Sequence, residues 1–567
     1  MTRSRVLSST SAIGLVALSA AIPLAADTYP RQPGVDAQHY VFRLALSDTS
    51  PEIVGEAIVN VRLTRDAVEE VVLDLTSAHD GKAMTVTGVT RDGATVAFTH
   101  ERDRLTLPVA EPARAGQLVS FTIRYHGIPA APAGTTTAAN NRENPGLRII
   151  PNKYGEWSAF SENWPNRARQ WLPMIDHPYD KATSEFIITA PAKYQVVANG
   201  VLEETIDLGD GRRMTHWKQS VPIASWLNAI GVEQFAVHHA GFVKGVELTT
   251  WVAHQDDQAG RSYFEGPARE ALEFYGDHIG PYAYEKLANI AAAGLGGGTE
   301  HASAIFYGET GIRPDAATGV VRPATSLVYH EVAHQWFGDS VTEKDWDDVW
   351  LSEGFATYFT LLCTEHYAGR DAFVAGLASS RRRIFTLEHQ NPGMAVIHDN
   401  LSDMGRVLNQ IVYQKGGWTL HMLRNLVGTD RFWTAIREYY KRYRDASAST
   451  TDLQHVFEEV SGQSLGWFFD QWLRRAGSPA ISGSWRYDAS GRQIELILDQ
   501  TQGGQPYRLT MDVGIAVEGA QPRVESLEMT QAHQTWRLPS DKPPAAITLD
   551  PSTRVLFEAG PFTGRSQ

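Results

Sequence analysis

The sequence is poor in cysteine. Cys363 is the only one in 567 residues, so no internal disulfide is possible. A chain of this length buries enough core without one. Cys363 sits in the apolar helical run FTLLCTEHY and reads as a buried structural thiol, not a nucleophile. Positive charge is also short: 51 Lys and Arg face 65 Asp and Glu, for a formal net charge of -14. That balance gives no electrostatic reason to bind nucleic acid or an anionic membrane. No stretch after the N-terminus is apolar for long enough to span a bilayer, so no stable membrane insertion is expected. Internal repeats are missing too. The remaining composition, 43% apolar and 20% charged, excludes a disordered or collagen-like chain and argues for several globular domains.

The N-terminus reads MTRSRVLSSTSAIGLVALSAAIPLAADTYP. Arg3 and Arg5 precede a short apolar run, Ala12 to Leu24, and the small residues Ala25 and Ala26 follow. This is the layout of a cleavable secretory signal over residues 1–26, and it predicts an exported protein, periplasmic or secreted. No cysteine follows the run, which argues against a lipoprotein anchor.

Three patterns succeed one another after it. Residues 27–240 are mostly strand-like: GEAIVNVRLTRD and QLVSFTIRYHG alternate apolar and polar side chains, with turn signals at Asp92-Gly93 and Asp210-Gly211. The expectation is an antiparallel β domain carrying one surface loop, IPAAPAGTTTAANNRENPG. Residues 241–477 turn helical. DQAGRSYFEGPAREALEFYGDHIG has helical spacing and stops at Gly280-Pro281, while TDLQHVFEEVSGQSLGWFFDQWLRRAG reads as two helices broken at Gly462. From 478 to 567 the period returns to two. Leu509, Met511, Val513, Ile515 and Val517 share a face, and a hairpin is expected around Ser490-Gly491. A β-sandwich of about ninety residues fits that spacing. The fold class is multidomain α+β.

The chemistry concentrates in VYHEVAHQWFGDSVTEKDWDDVWLSEGFATYF, Val328 to Phe359. A helix is expected to start near Pro323-Ala324 and to end by Gly338. On it His330 and His334 are four residues apart, so both imidazoles face one way and can reach one ion. An imidazole pair in an apolar surround suits zinc. Glu331 lies about 100° round the helix from His330, where it reaches a metal-bound water rather than the metal. That is the place for a general base. A catalytic zinc typically takes three protein ligands, and Glu353, nineteen residues after His334, is the third candidate. The alternative is an ordinary helix with two surface histidines; the distant glutamate in an aromatic-rich segment weighs against it.

This pattern, His-Glu-x-x-His followed after eighteen residues by Glu, resembles the signature of the gluzincin zinc aminopeptidases, peptidase family M1. GLGGGTEHAS, QIVYQKGGWTLHML and RQWLPMIDHPYDKATSEFIITAP resemble three further segments of that family, and the likeness runs from about Ala37 to Ala559. It implies one Zn2+ held by His330, His334 and Glu353, with Glu331 as base. Gly297 and Gly298 would let a peptide backbone approach, and Glu300 would bind the substrate's free α-ammonium. Thr299 and His301 depart from the commonest family residues beside it. Tyr413, in the family's Tyr-x-Lys-Gly segment with Lys415 and Gly416, would donate to the oxyanion. Glu162 is the only acid near the position of a second amine anchor. The resemblance also implies a saddle-like β domain, a thermolysin-like catalytic domain and a β-sandwich, in a short three-domain form with a more open site than larger members have.

The expected activity is therefore removal of N-terminal residues from peptides with a free N-terminus. Two rivals stand beside it: another zinc hydrolase on the same scaffold, either an endopeptidase or an epoxide hydrolase, and a non-catalytic peptide-binding relative. The second expects damaged ligands, and all are present here. Oligomeric state has no signature in the sequence.

Overall fold

The computed structural model describes residues 27–109, 113–133, 145–397, 401 and 404–565. The expected signal, residues 1–26, and most of the expected surface loop, 134–144, lie outside the described residues.

The N-terminal part is built on an eight-stranded sheet, ordered Val201–Asp207, Arg212–Ala224, Lys181–Pro191, Val35–Ala45, Ile53–Leu63, Leu118–Ile128, Ala83–Arg91, Ala94–Thr95. Along Ile53–Leu63 every second residue, including Ile53, Ala57, Val59, Val61 and Leu63, is buried, as period-two alternation requires. Asp92-Gly93 makes the tight turn between paired Arg91 and Ala94, both turn residues having positive φ. The sheet is not purely antiparallel, as had been expected. Val35–Ala45 runs parallel to Lys181–Pro191, because the intervening chain adds four strands to this sheet, forms a three-stranded sheet and begins a four-stranded one before it returns in the same direction.

One of those smaller sheets contains Ile230–Glu233; the next strand, Phe235–Val243, joins a different sheet. That strand straddles the boundary expected at 240. It pairs with Val246–Ala253 in a five-stranded sheet that continues through Lys286–Ala292, Ala304–Gly308 and the edge strand Gly298–Thr299. This five-stranded sheet thus starts at Phe235, and the mainly helical part that follows is built on it. Every residue of Lys286–Ala292 is buried, the mark of a strand with neighbours on both sides and layers on both faces.

Helices Asp257–His278, Thr325–His334, Trp350–Ala368, Arg370–Gln390, Gln410–Val427, Thr429–Tyr443 and Thr450–Ser461 make up most of the rest of this part. Ser449 and Asp452 close a capping box at the start of the last one, and Gly462, at φ 69, ends it where the sequence suggested. Cys363 is fully buried in Trp350–Ala368, and burial pushes its thiol well above the ordinary range. Among the described residues no helix is long and apolar enough to cross a membrane.

The C-terminal part has two sheets. One is ordered His533–Pro539, Gln493–Gln500, Ala480–Asp488, Glu558–Arg565; the other Arg523–Met529, Leu509–Val517, Pro544–Leu549. Its apolar interior is continuous with that of the helices. The segment before its last strand reaches onto helix Gln410–Val427: His421 Nε2 meets the Thr553 carbonyl at 2.8 Å, and the Leu556 N–H donates to Met422 Sδ at 3.4 Å.

Candidate active site and metal centre

Helix Thr325–His334 begins one residue past Ala324 and ends at His334, short of Gly338. The chain then turns sharply. Gly338 has φ 117, and a Cβ there would lie 2.3 Å from Ser352 Oγ and 3.1 Å from His334 Nδ1, so only glycine fits beside the last histidine. Helix Trp350–Ala368 packs across it and brings Glu353 into reach in its first turn.

Three donor atoms converge. His330 Nε2 and His334 Nε2 are 3.2 Å apart, and Glu353 Oε2 is 3.3 and 3.4 Å from them. Ligands at about 2.0–2.1 Å from a tetrahedral zinc are separated by about 3.3–3.4 Å, so this donor set fits that ion. The other nitrogen of His334, Nδ1, faces the Phe337 carbonyl at 3.2 Å and Ser352 Oγ at 3.0 Å, which fixes the ring. Burial would raise the Glu353 carboxyl, but the charges and hydrogen bonds of His334 and His330 outweigh it and bring it down to about 2. For His334 burial is likewise outweighed, by Glu300 and Glu353, so its pKa is raised well above the ordinary value. Burial lowers that of His330.

Glu331 and Glu300 form the second half of the site. With His334 they make another group whose ligand-type atoms lie within 4.8 Å of one another. Both are buried. Glu331 is pushed well above the carboxylate range by burial and by the neighbouring Glu300 and Glu353 charges. Glu300 is pushed up to about 7, mainly by burial and then by Glu353, with His334 opposing. Among the described residues its Oε1 has no hydrogen-bond partner, and it lies 3.9 Å from His334 Nδ1. The edge strand Gly298–Thr299 passes directly over Glu331: a Cβ on Gly298 would come within 2.4 Å of that carboxyl group. Gly297, at φ 83, turns the chain into this strand, and its carbonyl accepts the Gly308 N–H at 2.8 Å.

Tyr413 stands in the first turn of helix Gln410–Val427, where Asn409 caps the start by accepting the Ile411 N–H at 3.0 Å and the Val412 N–H at 3.3 Å. Its ring lies parallel to that of His330 with centroids 6.0 Å apart. Burial, then the Glu353 charge, raises the phenol well above its usual pKa and keeps it a donor.

His330, His334, Glu353, Glu331, Glu300 and Tyr413 thus surround one point. Glu162 does not follow the expectation of a surface glutamate or of an open anchor. It is buried, its Oε2 held by Arg148 at 2.8 Å and by Arg167, its Oε1 by the Trp164 N–H at 3.1 Å. Sequence reasoning passed over Ser352, Gln335 and Asp339. Gln335 and Ser352 are next to a ligand and Asp339 is five residues past His334, so neighbourhood in the motif was the available signal.

A three-ligand His-Glu-x-x-His centre with a distant glutamate, set beside an edge strand, defines a zinc metallopeptidase type of site. Residues 266–472 match the Peptidase family M1 domain and residues 36–227 the Peptidase M1 N-terminal domain. The chain belongs to peptidase family M1. It is 28% identical over 333 residues to glutamyl aminopeptidase of Sus scrofa, covering 57% of this chain and 35% of that protein. It is 29% identical over 343 residues to aminopeptidase A of Gloydius brevicauda, covering 58% and 36%. The chain therefore spans little more than a third of these relatives. An M1 zinc metallopeptidase from Deinococcus radiodurans superposes with TM-score 0.65 at 25% identity, covering 79% of this chain and 94% of that one. A mutant of that enzyme, solved with a Tyr-Ser-Ala substrate, gives TM-score 0.66 at 25% identity over 79% and 95%.

Proposed function

We propose that this protein is a zinc-dependent aminopeptidase that hydrolyses the first peptide bond of peptides with a free N-terminus. The observation that carries the reading is the buried Glu300 carboxyl. Its Oε1 is an unused acceptor beside His334 and Glu331, placed to take a substrate α-ammonium at a fixed distance from the ligand set. A relative kept for binding alone has no need of the complete ligand set, base and tyrosine.

One zinc ion held by His330, His334 and Glu353 would supply the Lewis acid that lowers the pKa of a water to about 7. Glu331 takes the water's proton and later delivers it to the leaving amine; its raised proton affinity suits both tasks. Tyr413 donates its phenolic hydrogen to the oxyanion. Glu300 holds the ammonium and limits cleavage to one residue from the N-terminus. The free edge of Gly298–Thr299 gives the substrate backbone a strand to pair with. In this reading the large N-terminal sheet is the family's saddle, the catalytic part is thermolysin-like and the two C-terminal sheets form a β-sandwich. Export rests on the pattern of residues 1–26, and N-terminal sequencing of the mature protein, expected to begin near Asp27, tests it.

A panel of aminoacyl-fluorophore substrates with free and N-acetylated amines tests the activity. Free-amine substrates should be cleaved about 100-fold or more faster, since a buried carboxylate without its partner rejects the blocked form. Equal rates on both would sink the aminopeptidase reading and favour an endopeptidase.

A further inference from the structure

Gln335 directly follows His334 and is fully buried. Its amide uses both N–H groups and both lone pairs. Nε2 lies 2.6 Å from Asp339 Oδ2, 3.2 Å from the Glu300 carbonyl and 3.5 Å from the His301 carbonyl. Oε1 accepts the Ser303 N–H at 2.8 Å and the Tyr282 hydroxyl at 3.0 Å. One side chain on the metal-ligand turn thus grips the backbone at Glu300, His301 and Ser303.

That segment needs a grip. It is a tight turn, closed by the Ala304 N–H on the His301 carbonyl at 3.0 Å, and Ser303 sits at φ 63, a conformation that residues with a Cβ rarely adopt. The carboxyl groups of Glu300 and Glu331 are buried near one another and repel when charged. Left free, the Glu300 segment would relieve that repulsion by moving off the zinc helix. The Asp339 end of the link is also held, because Lys181 from the N-terminal sheet donates to the Asp339 carbonyl at 2.9 Å and the Ser340 carbonyl at 2.8 Å.

We infer that Gln335 is a positioning residue for the amine subsite: its amide fixes the Glu300 carboxyl relative to the His330–His334–Glu353 set and thereby sets the distance at which a free N-terminus is recognised. The inference rests on the reading of Glu300 as the amine anchor. It assigns Gln335 no contact with substrate. Its effect therefore falls on amine recognition and not on metal binding.

Two chelating ligands separate the two effects. Leucine hydroxamate carries the α-amine; 4-methylpentanoic hydroxamate is the same molecule without it. The ratio of their dissociation constants, from calorimetry on the zinc-loaded protein, reads the amine subsite alone. In Gln335→Met that ratio should shrink about tenfold, while the desamino ligand stays within about twofold of wild type and zinc content stays at one per chain. Glu300→Ala is the reference and should abolish the preference. If it does so while Gln335→Met keeps the wild-type ratio, the positioning role is wrong and the aminopeptidase reading stands. If both ligands weaken together in Gln335→Met, the residue is merely structural and the inference fails. If Glu300→Ala leaves the ratio intact, the anchor reading fails and takes this inference with it. Tyr282→Phe, which removes one partner of the Gln335 amide and keeps the amide itself, covers the case in which Gln335→Met does not fold. Its ratio should fall about threefold, and an unchanged ratio overturns the inference.

Discussion

His301 follows Glu300, the proposed amine anchor, and is fully buried, its ring edge-on to Phe306 with centroids 4.8 Å apart and neither ring nitrogen hydrogen-bonded among the described residues. Burial brings its pKa down to about 3. The sign of the consequence is fixed. An unfolded histidine binds a proton near its ordinary value of 6.5, and the folded one does not until about 3. Between those values the unfolded chain holds more protons, so stability falls as pH falls below about 6.5 and is level above it. His301→Leu removes the titration. Going from about pH 7.5 to about pH 5.5, the wild type should lose about 1.4 kcal/mol that the variant keeps, read from urea unfolding at the two pH values. Equal losses in both proteins would mean that His301 takes up its proton when folded. At the same scale the motif histidines were fully legible, because two residues four apart on a helix share a face whatever surrounds them.

At the scale of elements, the site depends on where helices start. Tyr413 belongs to the first turn of Gln410–Val427, and Asn409 fixes that turn through two backbone N–H groups. Asn409→Ala should cost about 1 kcal/mol of stability, the usual worth of such a cap. Because the frayed turn carries Tyr413, the proposed oxyanion donor, kcat should fall more than KM changes. A loss of stability with kcat intact would show that Tyr413 is held by its packing against His330 alone. The cap was readable in the sequence in hindsight, as an asparagine just before an apolar run. The edge strand Gly298–Thr299 was not: two residues carry no periodicity, and only pairing with Ala304–Gly308 makes them a strand.

At the scale of the molecule, the C-terminal sheets are tied to the same helix. Lys415, two residues after Tyr413, is completely buried and donates to the Gly477 carbonyl at 2.6 Å and to Glu388 at 3.0 Å, where the Ser478 hydroxyl also donates. The link between catalytic and C-terminal parts is therefore anchored at the active-site helix. Lys415→Met removes the cationic partner of Glu388, which is partly buried and keeps the Ser478 hydroxyl, so the loss should be about 1–3 kcal/mol. The variant should unfold at lower urea and be cut by protease near Gly477-Ser478-Pro479 before it is cut elsewhere. Uniform cleavage along the chain would argue against this anchoring.

The sequence by itself determined the three candidate metal ligands, the glutamate set between the histidines as the proposed base, the three-part division and the family resemblance. These are set by spacing within single helices or by short motifs, and local periodicity survives any tertiary arrangement. Tertiary structure decided the parallel pairing inside the large sheet, the membership of Phe235–Val243 in the catalytic sheet and the pairing of Glu162 with two arginines. It also decided the grip of Gln335 on the Glu300 turn, 32 to 35 residues away in the chain. Each depends on which buried polar groups and strand edges meet across long loops. Nothing in the local order of residues specifies those meetings; the need to pair every buried donor and acceptor does.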